Sequence, residues 1–397
     1  MVRHAARLAQ GEQGQEPALT PDQARALLSP AGRAAVAAAE QLDLTPAARV
    51  RAAEAVRRFG ELGPVALEQA LLRERARAKH PRGAELWWTG PALEQSSSYD
   101  LARHRARLFD RPVLDLCCSV GGDLLVLPEG SVGVDLDEVR LLLAQANAQV
   151  LERDVALVRA DVTTLRLPPS ADVVVDPARR AGGRRVFDPR AYSPALDLVL
   201  SWRERVRSLV VKVAPGIDHD ALPADVEVEV VSLRGEVKEA VLLTGAARGG
   251  WRRTATLLPG PHVLTDEPVV APPVRPPGRW LLEPDGAVVR AHLVAQLAAQ
   301  VDGWLVDETI AYVSADARVP TAYGKWFEVL EVLPFGLKAL RERLRAHDAG
   351  PLVVKKRGTA VEPDVLRKQL RLTGSREVTV VLTRAAGKQI AMVVRPV

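Results

Sequence analysis

Residues 112–136, PVLDLCCSVGGDLLVLPEGSVGVDL, decide the fold class of this 397-residue chain. A short strand pattern, VLDL, runs into a loop that contains Gly121 and Gly122, and a second strand pattern, VGVD, follows a proline break. Glycines let a backbone approach a ligand closely, and the start of a helix offers free N–H groups. The stretch therefore predicts two strands joined by a ligand-binding turn, with Asp115 and Asp135 near the strand ends.

Short β-rich runs continue beyond this stretch. VRAD ends in Asp161 and VVVDP ends in Asp176 and Pro177, so that successive strand patterns each finish in a carboxylate. Helical or loop segments separate these runs, and the alternation predicts an open, mainly parallel sheet with helices on both faces. Such a sheet binds ligands along the edge formed by the carboxyl ends of its strands. Two later runs, VEVEVVSL and EAVLLTG, follow each other closely and predict an antiparallel pair at one edge of the sheet.

Changes in the sequence pattern divide the rest of the chain into domains. Helical patterns predict a helical N-terminal domain at residues 1–88, and residues 89–247 contain the strand-rich pattern. A proline-rich stretch predicts a linker at residues 248–278. Strands, one helix and a closing hairpin predict a C-terminal α+β domain at residues 279–397. The predicted fold class is therefore α/β, a doubly wound sheet between a helical domain and an α+β domain.

Composition limits the classes of function. The chain has 47% hydrophobic residues, 26% charged residues and a formal net charge of +5, which permits an acidic partner without requiring one. The N-terminus lacks the apolar core of a signal peptide and no apolar run reaches about 18 residues, so we expect a cytoplasmic protein. The two cysteines, Cys117 and Cys118, are neighbours that cannot join distant segments. The histidines show no metal-ligand spacing, and we expect no bound metal.

The order of the motifs resembles the class I S-adenosylmethionine-dependent methyltransferases, which have a Rossmann-like doubly wound sheet. The resemblance covers roughly residues 90–245 and rests on the strand-end carboxylates and the paired glycines. The dehydrogenase version of the fold is a poorer match, because its fingerprint needs glycines throughout the loop. More narrowly, the whole chain is similar to a bacterial group with a helical N-terminal region, an Asp-Pro-Ala-Arg motif and a C-terminal THUMP-like domain. The resemblance implies S-adenosyl-L-methionine as cofactor.

The resemblance also implies which residues hold this cofactor. Asp115 and the loop would hold its methionine end, Asp135 its ribose and Asp161 its adenine amino group. The family usually has glycines where this chain has Cys117 and Ser119, so we expect the backbone to approach the cofactor less freely there. The complete predicted cofactor site consists of Asp115, Cys117, Ser119, Gly121, Gly122, Asp135, Leu136, Asp161, Val162, Asp176 and Pro177.

Several acceptors of the methyl group fit the sequence. Amino-group methyltransferases bind the acceptor with Asp or Asn, Pro, Pro and an aromatic residue, whereas Ala178 and Arg179 occupy the last two positions here. Asp176, with Lys212 in LVVKVAPG and Glu239 in EVKEAVLLTG, instead resembles the ribose 2′-hydroxyl methyltransferases, in which a lysine deprotonates or orients the hydroxyl. We therefore predict these three residues as catalytic, and the alternative is that the lysine and the glutamate lie at the surface. Carbon methylation of pyrimidines needs a nucleophilic cysteine near this strand, whereas the cysteines lie in the cofactor loop.

Two basic clusters indicate a nucleic acid substrate. One follows Asp176 and Pro177, and the other, KKRG, lies in the C-terminal domain. Because guanidinium groups pair with phosphate in bidentate fashion, we expect both clusters to contact an RNA backbone. The predicted RNA-binding residues are Arg179, Arg180, Arg184, Arg185, Lys355, Lys356 and Arg357. The alternative is that these residues form solvated, charged loops.

The sequence thus predicts a methyltransferase that modifies RNA, either ribosomal or transfer RNA. The same cofactor site would also serve a small-molecule or protein methyltransferase. A further alternative is a non-catalytic RNA-binding protein built on the methyltransferase fold.

Overall fold

The computed structural model describes residues 19–178 and 191–397, together with the backbone of residues 180–181 and 184–185. These residues form two compact units. The first comprises the described residues up to Val213 together with Leu243–Ala247. The second comprises Ala214–Leu242 and Arg248–Val397.

The described part of the first unit begins with helices. Thr20 starts the first of them with a capping box, because its hydroxyl accepts the Gln23 N–H at 3.2 Å and the Gln23 side chain accepts the Thr20 N–H at 3.0 Å. The helices that precede the first strand are α1 (Pro21–Leu28), α2 (Pro30–Glu40), α3 (Arg49–Ala55), α4 (Leu62–Ala76), α5 (Gly90–Gln95) and α6 (Tyr99–Ala106).

The N-terminal helices share one hydrophobic core with helix α7 (Glu138–Leu151). Leu27 and Val36 from the N-terminal helices and Leu143 from α7 are all buried in this cluster, next to Trp87. Each such aliphatic side chain contributes about 1.5–3 kcal/mol on burial. The predicted helical domain, residues 1–88, therefore shares its core with residues that follow it.

The strands of the first unit carry the predicted motifs. In chain order they are β1 (Val113–Leu116), β2 (Val132–Asp135), β3 (Ala156–Arg159), β4 (Asp172–Val175), β5 (Arg180–Ala181), β6 (Arg184–Arg185) and β7 (Ser208–Val213). Strands β5 and β6 pair with each other, antiparallel. The others lie side by side, all parallel, in the order β7-β4-β1-β2-β3. The doubly wound sheet is thereby confirmed, and its strand order reverses between β1 and β4. Helix α8 (Leu196–Ser201) precedes β7.

The central strands are buried on both faces. Residues 173–175 of β4 and 209–211 of β7 are no more than 2% exposed, and near-continuous runs of branched aliphatic residues are typical of parallel strands covered by helices. Between β1 and β2 the chain forms a single 3₁₀ turn, Leu124–Val126. Gly133 of β2 packs so closely on this turn that a Cβ atom would lie 2.6 Å from Leu124 Cδ2.

The second unit begins with a group of four neighbouring strands in the order β11-β10-β8-β9. They are β8 (Glu227–Leu233), β9 (Glu236–Gly245), β10 (Arg253–Leu258) and β11 (His262–Thr265). Strand β9 belongs to this unit up to Leu242, and its last residues belong to the first unit. Strand β10 pairs parallel to β8, and β11 pairs antiparallel to β10. Two sequence predictions are corrected here. The segment 248–278, predicted as a linker, contains the strands β10 and β11 before its proline-rich part begins. The pair of β8 and β9, predicted at an edge of the sheet, is not at the edge, because β10 pairs with β8.

The rest of the second unit is a seven-stranded sheet with helices. Its strands are β12 (Trp280–Pro284), β13 (Trp304–Asp307), β14 (Ile310–Ala315), β15 (Gly324–Pro334), β16 (Ala349–Lys356), β17 (Arg376–Ala385) and β18 (Lys388–Pro396), in the order β13-β14-β12-β15-β18-β17-β16. Its helices are α9 (Gly286–Arg290), α10 (Val294–Gln300), α11 (Leu337–Ala346) and α12 (Pro363–Leu370).

Strands β17 and β18 form the predicted closing hairpin. Leu340 and Leu344 of α11 pack with Leu366 and Leu370 of α12 in one buried cluster. The sequence pattern predicts one helix in residues 279–397, whereas the structure has four there, α9–α12. None of the helices in the described part of the chain combines the length and apolar composition needed to cross a bilayer.

Candidate active site

The carboxyl ends of the parallel strands bring together four of the predicted site residues. Asp135 ends β2, and Asp176 directly follows β4. Lys212 on β7 continues the parallel pairing of β4 with β7, which places it beside Asp176. Asp115 lies one residue before the end of β1. This edge lies where the strand order reverses, and doubly wound sheets bind their ligands at that point.

At two positions in the loop after β1, residues other than glycine have left-handed backbone angles. Cys117 has a φ of 67° and Ser119 a φ of 52°, in a region that costs other residues roughly 1–2 kcal/mol. Hydrogen bonds hold both residues there. The Cys117 N–H donates to the Val134 carbonyl at 2.8 Å, and the Ser119 N–H donates to the Asp135 carboxylate at 2.9 Å. The loop thus adopts a glycine-type backbone at the two substituted positions.

Asp135 is fixed by hydrogen bonds to both of its carboxylate oxygens. Oδ2 accepts the Ser119 N–H and Oδ1 accepts the Asp137 N–H, each at 2.9 Å. The residue is 6% exposed. Because each carboxylate oxygen has a second lone pair, Asp135 keeps the capacity to accept further hydrogen bonds from hydroxyl groups.

Asp115 carries a buried oxygen that has no hydrogen-bond partner among the described residues. The residue is 2% exposed, and Oδ2 is the unpaired atom. Burial, followed by the charges of Asp123 and Asp176, raises the pKa of Asp115 well above its usual value, although a hydrogen bond from the Leu124 N–H and the charge of Arg105 oppose this shift. An unpaired buried polar atom costs about 1–3 kcal/mol. A positively charged donor such as an amino acid ammonium would satisfy it.

A buried ion pair that the sequence does not predict lies beneath this loop. Arg105 of α6 is 1% exposed, forms an ion pair with Asp123 and donates to Ser97 Oγ at 2.8 Å. The neighbouring Gly122 packs against the same segment, since a Cβ atom there would lie 2.6 Å from Ser96 Oγ. An acidic residue directly after the paired glycines is the one sequence signal for this arrangement.

A buried asparagine, also missed, fixes the loop from its other end. Asn147 of α7 accepts the Trp87 N–H at 2.7 Å and donates to the carbonyls of Trp87 at 3.1 Å and Val120 at 3.0 Å. The loop residue Val120 is thereby tied to helix α7 and to the segment that follows the N-terminal helices.

Lys212 and Asp176 form an ion pair at the ligand-binding edge. The Lys212 side chain is 5% exposed and the Asp176 side chain 28%, so the carboxylate is the member that a substrate would meet. Glu239 is 1% exposed and lies on β9 in the second unit. The alternative in which Lys212 and Glu239 lie at the surface is therefore wrong, while the catalytic role of Glu239 stays a prediction.

The remaining predicted cofactor residues differ in accessibility. Asp161 is exposed and caps the 3₁₀ turn after β3, accepting the Thr163 N–H at 2.9 Å and the Thr163 hydroxyl at 2.7 Å, and these hydrogen bonds lower its pKa. Leu136 is 65% exposed, and Val162 and Pro177 are buried. An exposed leucine next to Asp135 offers an apolar surface for a planar base. The adenine contact stays a prediction.

The two cysteine thiols are poor nucleophiles. Burial, reinforced by Asp135, Asp176 and Asp115, raises the pKa of Cys117 to about 12. Burial likewise raises the pKa of Cys118 well above its usual value. Since the thiolate is the reactive form, neither residue suits the attack on a pyrimidine carbon.

The predicted RNA-binding residues of the first cluster fall outside the described part of the chain: Arg179, and the side chains of Arg180, Arg184 and Arg185. The three residues of the second cluster all have partners within the second unit. Lys355 Nζ contacts the Glu283 carboxylate at 2.5 Å, and Lys356 Nζ contacts Glu362 at 2.7 Å. Arg357 donates to the Ala311 carbonyl at 2.8 Å. Any contact of this cluster with phosphate would compete with these bonds.

The fold and the site together define a class of protein. The arrangement is that of the class I methyltransferases. It combines a doubly wound sheet, a loop without the glycine fingerprint of dehydrogenases, and three carboxylates near adjacent strand ends, Asp115, Asp135 and Asp176. The unpaired Asp115 oxygen fits the ammonium group at the methionine end of S-adenosylmethionine, and Asp135 fits its ribose.

Comparison with known proteins assigns the family. Residues 324–396 match a family model described as THUMP domain-like, and residues 20–76 match a domain of unknown function. The chain is 43% identical over 350 residues to uncharacterised S-adenosylmethionine-dependent methyltransferases of Mycobacterium tuberculosis strains CDC 1551 / Oshkosh and ATCC 25618 / H37Rv, which covers 85% of this chain and 97% of each relative. The chain therefore belongs to the S-adenosylmethionine-dependent methyltransferases, and S-adenosylmethionine is its cofactor.

A solved structure shares the fold over nearly the whole chain. The crystal structure of a proposed methyltransferase from Porphyromonas gingivalis W83 has a TM-score of 0.68 and 21% sequence identity. The match covers 99% of this chain and 97% of that one. The N-terminal helices, the parallel sheet and the C-terminal α+β region are thus all within the shared architecture.

Proposed function

We propose that this enzyme transfers the methyl group to an N–H or O–H group of RNA. The observation that carries the acceptor chemistry is the Asp176–Lys212 ion pair at the ligand-binding edge. The match of residues 324–396 to a THUMP-like family supports RNA as the substrate. The high pKa values of the cysteine thiols argue against a pyrimidine carbon as the acceptor.

We assign different roles to the two members of the pair, because they differ in exposure. The bound cofactor supplies an electrophilic methyl group on a sulfonium. Asp176 is the more exposed member, so its carboxylate accepts a hydrogen bond from the acceptor N–H or O–H and orients the acceptor lone pair. Lys212 lies beneath it and holds the carboxylate in place, which makes Lys212 a positioning residue. An exocyclic amine and a ribose hydroxyl both suit this arrangement.

Methyl transfer to fractionated cell extract tests the substrate. RNA from a strain that lacks the gene should accept labelled methyl groups from S-adenosylmethionine, whereas RNA from the parent strain should accept few because its sites are already modified. Mass spectrometry of the nucleosides then identifies the modified atom. Label that enters the protein or small-molecule fraction, with none in the RNA, would overturn the proposal.

Variants of the pair test the catalytic assignment. Asp176→Ala removes the hydrogen-bond acceptor and should lower kcat by about 10²–10⁴-fold, the usual contribution of such a group, with little change in cofactor affinity. Lys212→Met should also lower kcat while KM for RNA stays near the wild-type value. Asp197→Ala, which changes an exposed carboxylate of helix α8, is the matched control. Wild-type kcat in Asp176→Ala would remove Asp176 from the mechanism.

A further inference from the structure

A pocket of about 480 Å³ lies on the first unit beside helix α6. Residues four apart on a helix share a face, so Tyr99, Arg103 and Arg107 line the pocket together. Arg105, two residues from either arginine, is instead buried against Asp123. One helix thus presents an ion pair to the cofactor loop and a basic stripe to the pocket.

Two of the pocket arginines already have acidic partners. Arg82 pairs with Glu85 at 2.6 Å, and Arg153 pairs with Glu129 at 2.5 Å. These pairs leave little net charge at their ends of the pocket, so the attraction for an anion must come from other residues.

Arg103 and Arg107 supply that attraction. Within residues 19–178 and 191–397, no carboxylate forms an ion pair with either of them, and Arg103 donates to the Tyr99 hydroxyl at 3.2 Å. Both side chains are exposed. Like charges four residues apart on a helix destabilise each other. An anion bound between them would relieve this repulsion, and the guanidinium fork matches the oxygens of a phosphate.

The aromatic wall of the pocket fixes the position of one of these arginines. The rings of His80 and Tyr99 meet edge to face with centroids 4.7 Å apart, and His80 Nδ1 accepts the Arg82 N–H at 3.0 Å. Burial lowers the pKa of His80, which leaves its ring neutral near physiological pH. The contact between the two rings therefore holds the Tyr99 hydroxyl at the position where it accepts the hydrogen bond from Arg103 and orients that side chain.

The pocket is also connected to the cofactor loop. Leu125 and Val126 line it, and they belong to the 3₁₀ turn whose Leu124 N–H donates to Asp115.

We propose that this pocket binds a phosphate of the RNA backbone through Arg103 and Arg107, next to the loop that holds the cofactor. The inference rests on the proposed function, because it requires an RNA substrate.

Binding to the total RNA of a strain that lacks the gene, measured by fluorescence at several salt concentrations, tests this inference. Arg103→Gln and Arg107→Gln should each lower the RNA affinity about 5–10-fold at low salt and reduce the slope of log K against log salt concentration by about 1. The controls, Arg51→Gln and Arg57→Gln, change exposed arginines of the same unit away from the pocket. Cofactor affinity, measured by calorimetry, should stay at the wild-type value in all four variants.

The two proposals fail in different ways. Wild-type RNA affinity and salt dependence in both pocket variants, with wild-type protein that binds and methylates RNA, would overturn the pocket and leave the proposed function in place. Wild-type protein that neither binds nor methylates RNA would overturn both. Arg103→Lys retains the charge and should keep more affinity than Arg103→Gln, which separates loss of charge from a change in folding.

Discussion

Replacing Asp115 by Asn should stabilise the ligand-free protein and weaken cofactor binding. The pKa of this buried carboxyl is raised above its usual value of 3.8 by burial and by neighbouring acids. A raised folded-state pKa means that folding disfavours the ionised form, so the penalty is absent below the unfolded-state pKa and grows as the pH rises toward the folded-state pKa. Asn has the same shape without the charge, and its oxygen can still accept the Leu124 N–H.

The expected gain in the free energy of unfolding near neutral pH comes from removal of the buried charge, and it is about 1.4 kcal/mol for each pH unit by which the folded-state pKa exceeds its usual value. The amide NH₂ group of Asn replaces the unpaired Oδ2, so one buried polar atom without a partner remains in both proteins and its cost cancels. For a unit of roughly 200 residues, each kcal/mol raises Tm by about 2–4 °C. Asp135→Asn is the matched control and should instead lower the free energy of unfolding. Both Asp135 oxygens accept backbone N–H groups, so a side-chain NH₂ group would face a donor and cost about 1–3 kcal/mol.

Thermal unfolding of ligand-stripped protein across a pH series measures both effects. Asp115→Asn should melt above the wild type near neutral pH, and the difference should shrink toward about pH 4, where the wild-type carboxyl becomes protonated in both states. S-adenosylmethionine should bind the variant about 10–100-fold more weakly if Asp115 holds its ammonium, as we propose, because a charge-assisted hydrogen bond would then be lost. A variant that melts below the wild type near neutral pH would refute the reasoning.

Three further outcomes are expected. Because the pKa of Cys117 is about 12, iodoacetamide near pH 8 should alkylate native protein far more slowly than urea-unfolded protein, as followed by mass spectrometry, and equal rates would contradict the assigned burial. Asn147→Ala removes three buried hydrogen bonds and should lower the free energy of unfolding by about 2–4 kcal/mol in urea titrations, so a loss below about 1 kcal/mol would count against this network. Lys355→Gln leaves the largely buried carboxylate of Glu283 unpaired and should destabilise the protein by about 1–3 kcal/mol, whereas Lys356→Gln at an exposed pair should change stability by less than about 1 kcal/mol. Equal losses in these two lysine variants would show that burial does not distinguish the pairs.

The predicted parts of the site are those that local sequence determines. A parallel strand buried on both faces shows as an apolar run, and the residue at its carboxyl end meets those of its neighbours because the sheet aligns them. Asp135 and Asp176 could therefore be placed from the sequence. The neighbouring Lys212 could be assigned to the same edge, although its burial could not.

The parts that sequence reasoning missed depend on contacts between distant segments. Arg105 reads as one arginine among many, and its pairing with Asp123 depends on how α6 packs against the loop. Lys355 reads as part of an exposed basic cluster, yet its partner Glu283 lies 72 residues away in the chain. Strand β10 lies in a segment that the sequence predicts as a linker, because the proline-rich residues that follow dominate the local pattern.

The core shared by the N-terminal helices and α7 has a consequence for folding during synthesis. Leu27 and Val36 are buried in one cluster with Leu143, which the ribosome adds much later. Roughly 75 residues separate the end of α4 from the end of α7, and at about 5–20 residues per second their synthesis takes about 4–15 s. During that interval the part of their apolar surface that α7 later covers remains exposed on the nascent chain, where it is available to chaperones. Helices α1, α2 and α4 therefore complete this core only after α7 has been made.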